Sequence, residues 1–489
     1  MSELYEKLIF DLSSDGHAGI SLPHLDVPEI EISDIIPPEF LRKSPPVMPS
    51  VSEPDVMRHF VALSRKNHHI DKGFYPLGSC TMKYNPKVNE NLAGLREFVD
   101  AHPLFPENAV QGTLSLLYEL KDLLCEIAGM DSVTLQPAAG AHGEFTALLM
   151  IRAYHKKNKR NPNKIILPDS AHGTNPASVV MAGYEVVQIK SNDRGLVDIN
   201  RLSDHCDDDL AAFMLTNPNT LGLFESEIQK IAHLVHDAGG LLYMDGANLN
   251  ALLGLARPGD MGFDVVHFNM HKTFSTPHGG GGPGAGALGV KSNLEPFLPV
   301  PVVSRKKDRR GDHLYFLDYK RPDTIGRVHS FYGNVANLIR AYCYIKNLGP
   351  EGLKEVSETA IVNASYLREK LKDMFELPYD GETMHEFVLS GSRYKARGIK
   401  TLDIAKRILD FGIHAPTVYF PLIVSEALMI EPTETESKAS LDNFVEVMKT
   451  IIGEIESDPE KVKSAPHDTP VSRLDEAMAA REIDICYNE

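Results

Sequence analysis

Two side chains set the chemistry open to this chain: Asp245, closing Gly240-Leu-Leu-Tyr-Met-Asp, and Lys272, in Val266-His-Phe-Asn-Met-His-Lys-Thr-Phe. Each follows an apolar run of strand length, and open α/β sheets take their ligands just beyond the carboxyl ends of such strands. An amine and a carboxylate in one crevice suit pyridoxal 5′-phosphate (PLP). The lysine could form a Schiff base, while the acid keeps the pyridine nitrogen protonated and the ring an electron sink. Taken singly, Lys272 reads as a snorkelling lysine and Asp245 as well as a helix N-cap.

Other residues strengthen the pairing by their order. Gln136-Pro-Ala-Ala-Gly-Ala-His-Gly-Glu ends a strand and opens a helix with small residues, so the N–H groups of Ala139, Gly140 and Ala141 could wrap a phosphate. A tight turn that needs Gly140 and Gly143 is the other reading. His172, in Asp169-Ser-Ala-His-Gly-Thr-Asn-Pro, follows the next strand, where its ring could lie on a cofactor face or serve structure alone. Asn219 and Thr220, in Thr216-Asn-Pro-Asn-Thr-Leu-Gly, could donate to a ring hydroxyl or a substrate carboxylate, or simply build a turn. Anion cradle, stacking ring, polar donor, carboxylate and amine follow successive strand ends, an order that independent accidents rarely produce. His271, next to the lysine, is a candidate proton shuttle because an ordinary imidazole changes charge at about pH 6.5; a strand-end polar contact is its alternative.

Several motifs drop out. Gly284-Ala-Gly-Ala-Leu-Gly289 matches G-x-G-x-x-G in form, but it sits in a glycine-rich tract that enters a strand instead of opening a helix, which argues against NAD. The tract beginning His278-Gly-Gly-Gly-Gly reads as a pliable loop beside the amine or an ordinary flexible turn. HExxH, GxSxG and P-loop patterns are absent, His68-His69 has no spaced carboxylate or cysteine, and no metal is expected. Ser304-Arg-Lys-Lys-Asp-Arg-Arg310 is a basic island, either a solvated loop or a dock for an acidic partner.

These residues need a frame to hold them. Candidate strands are 132–136, 164–167, 184–189, 211–215, 240–245 and 265–269, separated by helical stretches such as 144–155 and 227–236, after a long amphipathic helix from Val110 to Ile127 that Gly129 stops. Strands alternating with helices predict an α/β fold with a mostly parallel sheet of about seven strands and helices on both faces. Residues 1–54, dense in proline, read as an extended arm, 55–330 as the large α/β domain, 331–375 as connecting helices and 376–489 as a smaller C-terminal α+β domain. Within the last, a strand-like segment runs from Leu422 to Met429 and a helix lies around 437–455.

Composition agrees with a globular enzyme. The 489 residues carry a formal charge of −17, which disfavours nucleic acid and anionic membrane surfaces as partners. No apolar run approaches the roughly 18 residues of a membrane-spanning helix. The start, Met1-Ser-Glu-Leu-Tyr-Glu-Lys, has neither signal-peptide nor transit-peptide character, and five scattered cysteines without a CxxC suit a reducing compartment. A soluble, cytoplasmic protein is expected.

The segments Tyr75-Pro-Leu-Gly-Ser-Cys-Thr-Met-Lys-Tyr-Asn, Pro137-Ala-Ala-Gly-Ala-His-Gly-Glu, Ser170-Ala-His-Gly-Thr-Asn-Pro-Ala-Ser, Tyr243-Met-Asp-Gly-Ala-Asn and Asn269-Met-His-Lys-Thr-Phe together resemble the P-protein of the glycine cleavage system. This is the PLP-dependent glycine decarboxylase (glycine dehydrogenase, aminomethyl-transferring), and the likeness is to subunit 2 of its split bacterial and archaeal form. Thr324-Ile-Gly-Arg-Val-His-Ser-Phe-Tyr-Gly-Asn and Ala415-Pro-Thr-Val-Tyr-Phe-Pro extend it over nearly the whole chain, with Tyr332 where Phe is more usual. The resemblance implies a fold-type-I PLP-dependent transferase with Lys272 as the Schiff-base lysine, Asp245 at the pyridine nitrogen, His172 on the ring and the phosphate on Ala139, Gly140 and Ala141. Ser79, Cys80, Thr81 and Lys83 fall in a family signature near the site. Glycine would lose carbon dioxide and its aminomethyl group would pass to the lipoyl arm of H-protein. The implied partners are subunit 1, in a heterotetramer of two copies of each, and lipoylated H-protein. Two rival expectations stand beside this one: another fold-type-I decarboxylase or desulfurase, and a non-catalytic scaffold subunit of the same complex.

Overall fold

Strands covered on both faces by helices read as unbroken apolar runs, and six such runs form the frame of the protein. The structure, a computed structural model, describes residues 7–279 and 282–485. The first six residues of the opening segment, Gly280 and Gly281 of the glycine tract, and Cys486 lie outside them. The chain divides into two units, one of Met1–His69 with Ala465–Glu489, the other Ile70–Ser464.

In the larger unit, β1 (Ser132–Thr134), β2 (Lys164–Pro168), β3 (Glu185–Ile189), β4 (Leu210–Thr216), β5 (Leu241–Asp245), β6 (Val265–Asn269) and β7 (Gly286–Val290) make one sheet in the order β1-β7-β6-β5-β4-β2-β3. β7 pairs antiparallel with both β1 and β6, and the pairings along β6-β5-β4-β2-β3 are parallel. The glycine-rich false fingerprint does enter a strand, β7. β2 to β6 are wholly buried apart from β3, the edge strand, in which only Ile189 is fully buried.

The helix Gln111–Ala128 buries Leu114, Leu117, Leu120 and Leu124 and ends on Gly129, which supplies the left-handed φ of 67° that a helix stop favours. β8 (Val302–Lys307) and β9 (His313–Asp318) form a separate hairpin that carries most of the basic island. The expected connecting helices are one long helix, Val335–Leu371, broken only at Gly349 and Pro350. Its first half packs Leu338, Ile339 and Ala341 into the main core, and its second half packs Ala364, Leu367 and Leu371 into another. That second core lies under a small antiparallel sheet of β10 (Phe387–Ser390), β12 (Ala427–Ile430) and β11 (Thr417–Val418) and the helices Thr401–Leu409 and Lys438–Ser457.

Two expectations need correction here. The strand does not begin at Leu422, which is 84% exposed; Pro421 to Glu426 turn the chain and pairing starts at Ala427. The C-terminal bound also differs: the larger unit ends at Ser464, residues 465–489 belong to the other unit, and from Val471 onward every described side chain is exposed.

In the other unit, the described residues of the proline-rich arm form only short 3-10 turns, at Ile9–Leu12, Ile32–Asp34 and Pro38–Phe40. It leaves Ile20, Leu22, Leu25, Ile30 and Phe40 exposed. The arm ends at Ser52, which caps the helix Glu53–Lys66. No helix among the described residues is long and apolar enough to cross a membrane.

Candidate active site

The carboxyl ends of β2, β4, β5 and β6 and the amino end of the helix Gly140–Lys157 bring the residues singled out above to one edge of the sheet. Asp245 closes β5 and is buried. Its Oδ2 accepts from Asn175 Nδ2 at 3.0 Å, and Oδ1 accepts from Ala247 N at 2.9 Å and lies 3.3 Å from His267 Nε2. Burial works to raise this carboxyl's pKa, but His267, the Asn175 amide, Lys272 and the Ala247 N–H outweigh it, and the group is held below the usual carboxylate range.

His267, buried in β6, is oriented from the other side. Burial, with Glu144 and Asp245 nearby, keeps the Tyr243 hydroxyl protonated well beyond its ordinary range, so Tyr243 donates to His267 Nδ1 across 2.7 Å. His267 Nε2 lies between Asp245 Oδ1 at 3.3 Å and Asn269 Oδ1 at 3.1 Å.

The helix that begins at Gly140 is capped by no side chain, which leaves its first N–H groups facing the site. Gly140 is required there because a Cβ would sit 2.3 Å from Asn269 Nδ2. Ala139 is half-buried and Ala141 exposed. His172 lies past β2 with Nδ1 accepting from Thr174 N at 3.2 Å, and its ring edge meets Phe420 at 5.5 Å between centroids. Burial lowers its pKa, Lys272 adds to that, and opposition from Asp245 and Glu144 does not reverse it, so the ring is neutral at pH 7.

Lys272 is half-buried and donates from Nζ to the carbonyl of Ser79 at 2.9 Å. His271 places Nδ1 3.2 Å from the Ala285 carbonyl, which fixes Nδ1 as the donor and leaves Nε2 with a lone pair. Burial, then Lys272 and His278, push its pKa down to about 4. The premise that it titrates near neutrality is therefore corrected: at pH 7 it is a neutral imidazole.

Thr220 donates from Oγ1 to the Ser170 carbonyl at 2.6 Å, tying the β4 end to the β2 end. Asn219 is engaged in its own turn: Nδ2 donates to Gly195 O at 2.8 Å, and Oδ1 accepts from Leu221 N and Leu223 N. The turn reading describes the Asn219 contacts, whereas Thr220 lines up with the strand ends.

The sequence reading missed a second set of groups. Glu386 and Glu431, just before β10 and just past β12, are buried and converge on the segment Ser79–Thr81. Glu386 accepts from Ser79 N and Asn248 Nδ2; Glu431 accepts from Thr81 N and Thr81 Oγ1. His385 stands between them, fully buried, with its Nε2 3.9 Å from Glu386 and 3.7 Å from Glu431. Glu144, Asp245 and His267 form another close trio, but the Glu144 oxygens take the Thr174 and Ser178 hydroxyls. His267 and Asn269 could have been noticed as polar residues in an otherwise apolar strand. No such pattern marks Glu386 and Glu431, because a glutamate beside a short strand reads as surface.

Two family models match the chain: "Aminotransferase class-V" over residues 142–305 and "Glycine dehydrogenase, C-terminal domain" over residues 356–474. The probable glycine dehydrogenase (decarboxylating) subunit 2 of Chloroherpeton thalassium is 58% identical over 482 residues, 99% of this chain and 98% of that one. Its namesake in Bacillus licheniformis is 57% identical over 490 residues and the full length of both. Among solved structures, an inhibitor-bound glycine decarboxylase (P-protein) of the glycine cleavage system matches with a TM-score of 0.73 at 22% identity, over 86% of this chain and 94% of that one. A cysteine desulfurase from Thermococcus onnurineus matches with a TM-score of 0.61 at 15% identity, over 78% of this chain and 95% of its own, so the two share a fold.

Proposed function

The chain belongs to the glycine dehydrogenase (decarboxylating) subunit 2 family, and from that membership we propose how its own residues carry the reaction. It is an enzyme of the glycine cleavage system, and its cofactor is pyridoxal 5′-phosphate. The residues fit that group: an uncapped helix start kept open by Gly140, a buried carboxylate held ionised, and an amine within the same edge of the sheet.

When bound, PLP supplies a sink for the electrons released as the bond from carbon to carboxylate breaks. Ala139, Gly140 and Ala141 would hold its phosphate through their backbone N–H groups. Asp245, ionised and braced by His267 and Asn175, would hold the proton on the pyridine nitrogen. His172 would cover the ring as a neutral imidazole that adds no charge, and Thr220 would keep the neighbouring strand ends in register. Asn219 would act through its turn. Lys272 is the amine we assign to the cofactor, aimed by the Ser79 carbonyl. His271, neutral with a lone pair on Nε2, would accept a proton beside it.

Glycine leaves its carboxylate as carbon dioxide. We propose that the aminomethyl group goes to lipoylated H-protein: a C–S bond forms, the lipoyl S–S bond breaks, and the second sulfur takes a proton. Subunit 1 is the partner, in a heterotetramer of two copies of each. The arm's exposed Ile20, Leu22, Leu25, Ile30 and Phe40 support such a partner, since they offer apolar side chains that a partner surface could cover. A cytoplasmic location fits the cysteines without any CxxC.

The single observation that carries the site assignment is Asp245 and Lys272 at adjacent strand ends, with the carboxyl held ionised. Carboxyl-labelled glycine tests the function. Labelled carbon dioxide should appear with the subunit 1 complex and lipoyl-H-protein, and fall to background when either is omitted. Sulfur release from cysteine instead would support the desulfurase reading, and a colourless, inert complex the scaffold.

A further inference from the structure

Behind the Ser79–Thr81 segment lies a buried acid cluster that the proposed chemistry leaves unused. Ser79 and Thr81 both hold left-handed backbone angles, φ 61° and 45°, which non-glycine residues avoid unless the surroundings impose them. The impositions are visible. Glu386 takes the Ser79 N–H at 2.8 Å, Glu431 takes the Thr81 N–H at 2.8 Å, and on the opposite side the Ser79 carbonyl accepts from Lys272 Nζ. One three-residue segment is thus clamped between two carboxyls and the amine.

The two carboxyls are close. Oxygens of Glu386 and Glu431 and a ring nitrogen of His385 all lie within 4.8 Å of one another. Like charges at that range among fully buried side chains do not both persist unless a cation compensates. Among the described residues the charged and titratable groups that face the pair are few. His385 has no hydrogen-bond partner on either ring nitrogen, and burial with Lys272 nearby pushes its pKa down to about 3, so it is neutral. Burial raises the Cys80 thiol, so it is neutral too. Lys83 lies in the field of Glu431 but is paired with Glu434 at 2.9 Å. Lys272 remains, and Asp245 competes for it.

We propose that Glu386 and Glu431 share one proton, so that the pair presents a single negative charge to the Lys272 amine and, through the Ser79–Thr81 segment, positions it. Burial and mutual repulsion raise Glu386 well above the carboxylate range, and burial raises Glu431, in accord with that count. The two are positioning residues that set the charge around the amine. The proposal deepens the function given above, because it concerns the amine on which that function rests.

The charge count makes a prediction that mere structural support does not. In a pair sharing one proton, Glu386→Gln leaves Glu431 ionised and Glu431→Gln leaves Glu386 ionised, so the net charge stays at minus one. Only the double variant removes it. Lys272 reactivity can be read without cofactor, by competitive labelling of the cofactor-stripped complex with acetic anhydride over a pH series and peptide mapping. Each single variant should move the Lys272 midpoint by less than about half a unit, and the double variant should lower it by about 1 unit or more. Two ionised carboxylates would give instead a drop of about a unit in each single variant, adding in the double, and would overturn the proposal.

Should the double variant fail to fold, infrared spectroscopy decides. Wild-type protein at neutral pH should show the carbonyl stretch of a protonated carboxyl that is lost in E386Q and in E431Q separately. Absence of that band in the wild type, or its survival in either variant, refutes the shared proton. The labelling result does not depend on where PLP attaches, so a wrong cofactor assignment would leave this titration standing and the two readings can fail separately.

Discussion

Replacing Asp245 with asparagine strikes the group from which the site's electrostatics are built. The native carboxylate meets three donors: Asn175 Nδ2 at 3.0 Å, Ala247 N at 2.9 Å and His267 Nε2 at 3.3 Å. An asparagine side chain offers one acceptor oxygen, and its NH2 would be turned towards one of those donors. One charge-assisted hydrogen bond is lost, at about 1.5–3 kcal/mol, and one buried donor is left unpaired, at about 1–3 kcal/mol. The sum, about 2.5–6 kcal/mol, spans the loss of about 3–5 kcal/mol found when one member of a buried ionic pair is removed. At an unfolding entropy of about 2.1 cal/mol/K per residue, a chain of 489 residues then loses roughly 2–6 °C in its unfolding midpoint. The assay is thermal unfolding of the cofactor-free complex by circular dichroism, which separates the protein's own loss from that of its ligand. Asn175→Ala, which removes a single buried donor to the carboxylate, should cost about 1.5–3 kcal/mol. Because the folded carboxyl's pKa is depressed, its contribution is complete above the unfolded value of about 3.9 and disappears as pH falls through the folded one. The difference between D245N and wild type should therefore be constant from about pH 5 to 8. A midpoint unchanged in D245N would refute the reasoning.

Gly140→Ala should weaken PLP binding roughly tenfold to a hundredfold, since its Cβ would press on Asn269 2.3 Å away; fluorescence titration with PLP reads this, and unchanged affinity would count against the cradle. Lys83→Met should destabilise by about 3–5 kcal/mol in denaturant unfolding, because it strips Glu434 of its buried partner and leaves Asn250 Oδ1 without its lysine donor. His271 and His385 have folded pKa values of about 4 and about 3, below the unfolded value of about 6.5. Each supports stability fully above about pH 6.5 and loses that support as pH falls through the folded value, at about 1.4 kcal/mol per pH unit in between. His385→Gln should reduce the acid slope of unfolding free energy between about pH 4.5 and 6 by that amount, and an unchanged slope would contradict a neutral buried imidazole.

The strands of the main sheet were legible because burial on both faces writes them as continuous apolar runs, as in Leu210–Leu215 and Leu241–Met244. The same fact made Asp245 and Lys272 conspicuous, since each is a polar residue where an apolar run stops. Sheet order was not legible: β7 enters between β1 and β6, a pairing fixed by long-range packing and not by local pattern. The left-handed angles at Ser79 and Thr81 are imposed by glutamates more than 300 residues away along the chain. No local signal could announce them. The titration of His271 escaped for a related reason, because a histidine's pKa is set by the depth of burial and by neighbouring charges that a linear sequence does not display.

The site assignment stands on Lys272 as the residue that carries the cofactor. Borohydride reduction of the PLP-loaded complex, followed by proteolysis and mass mapping, should find the pyridoxyl adduct on the peptide containing Lys272, with no adduct and no yellow chromophore in Lys272→Ala. An adduct on any other lysine, or colour that persists in the variant, would contradict it.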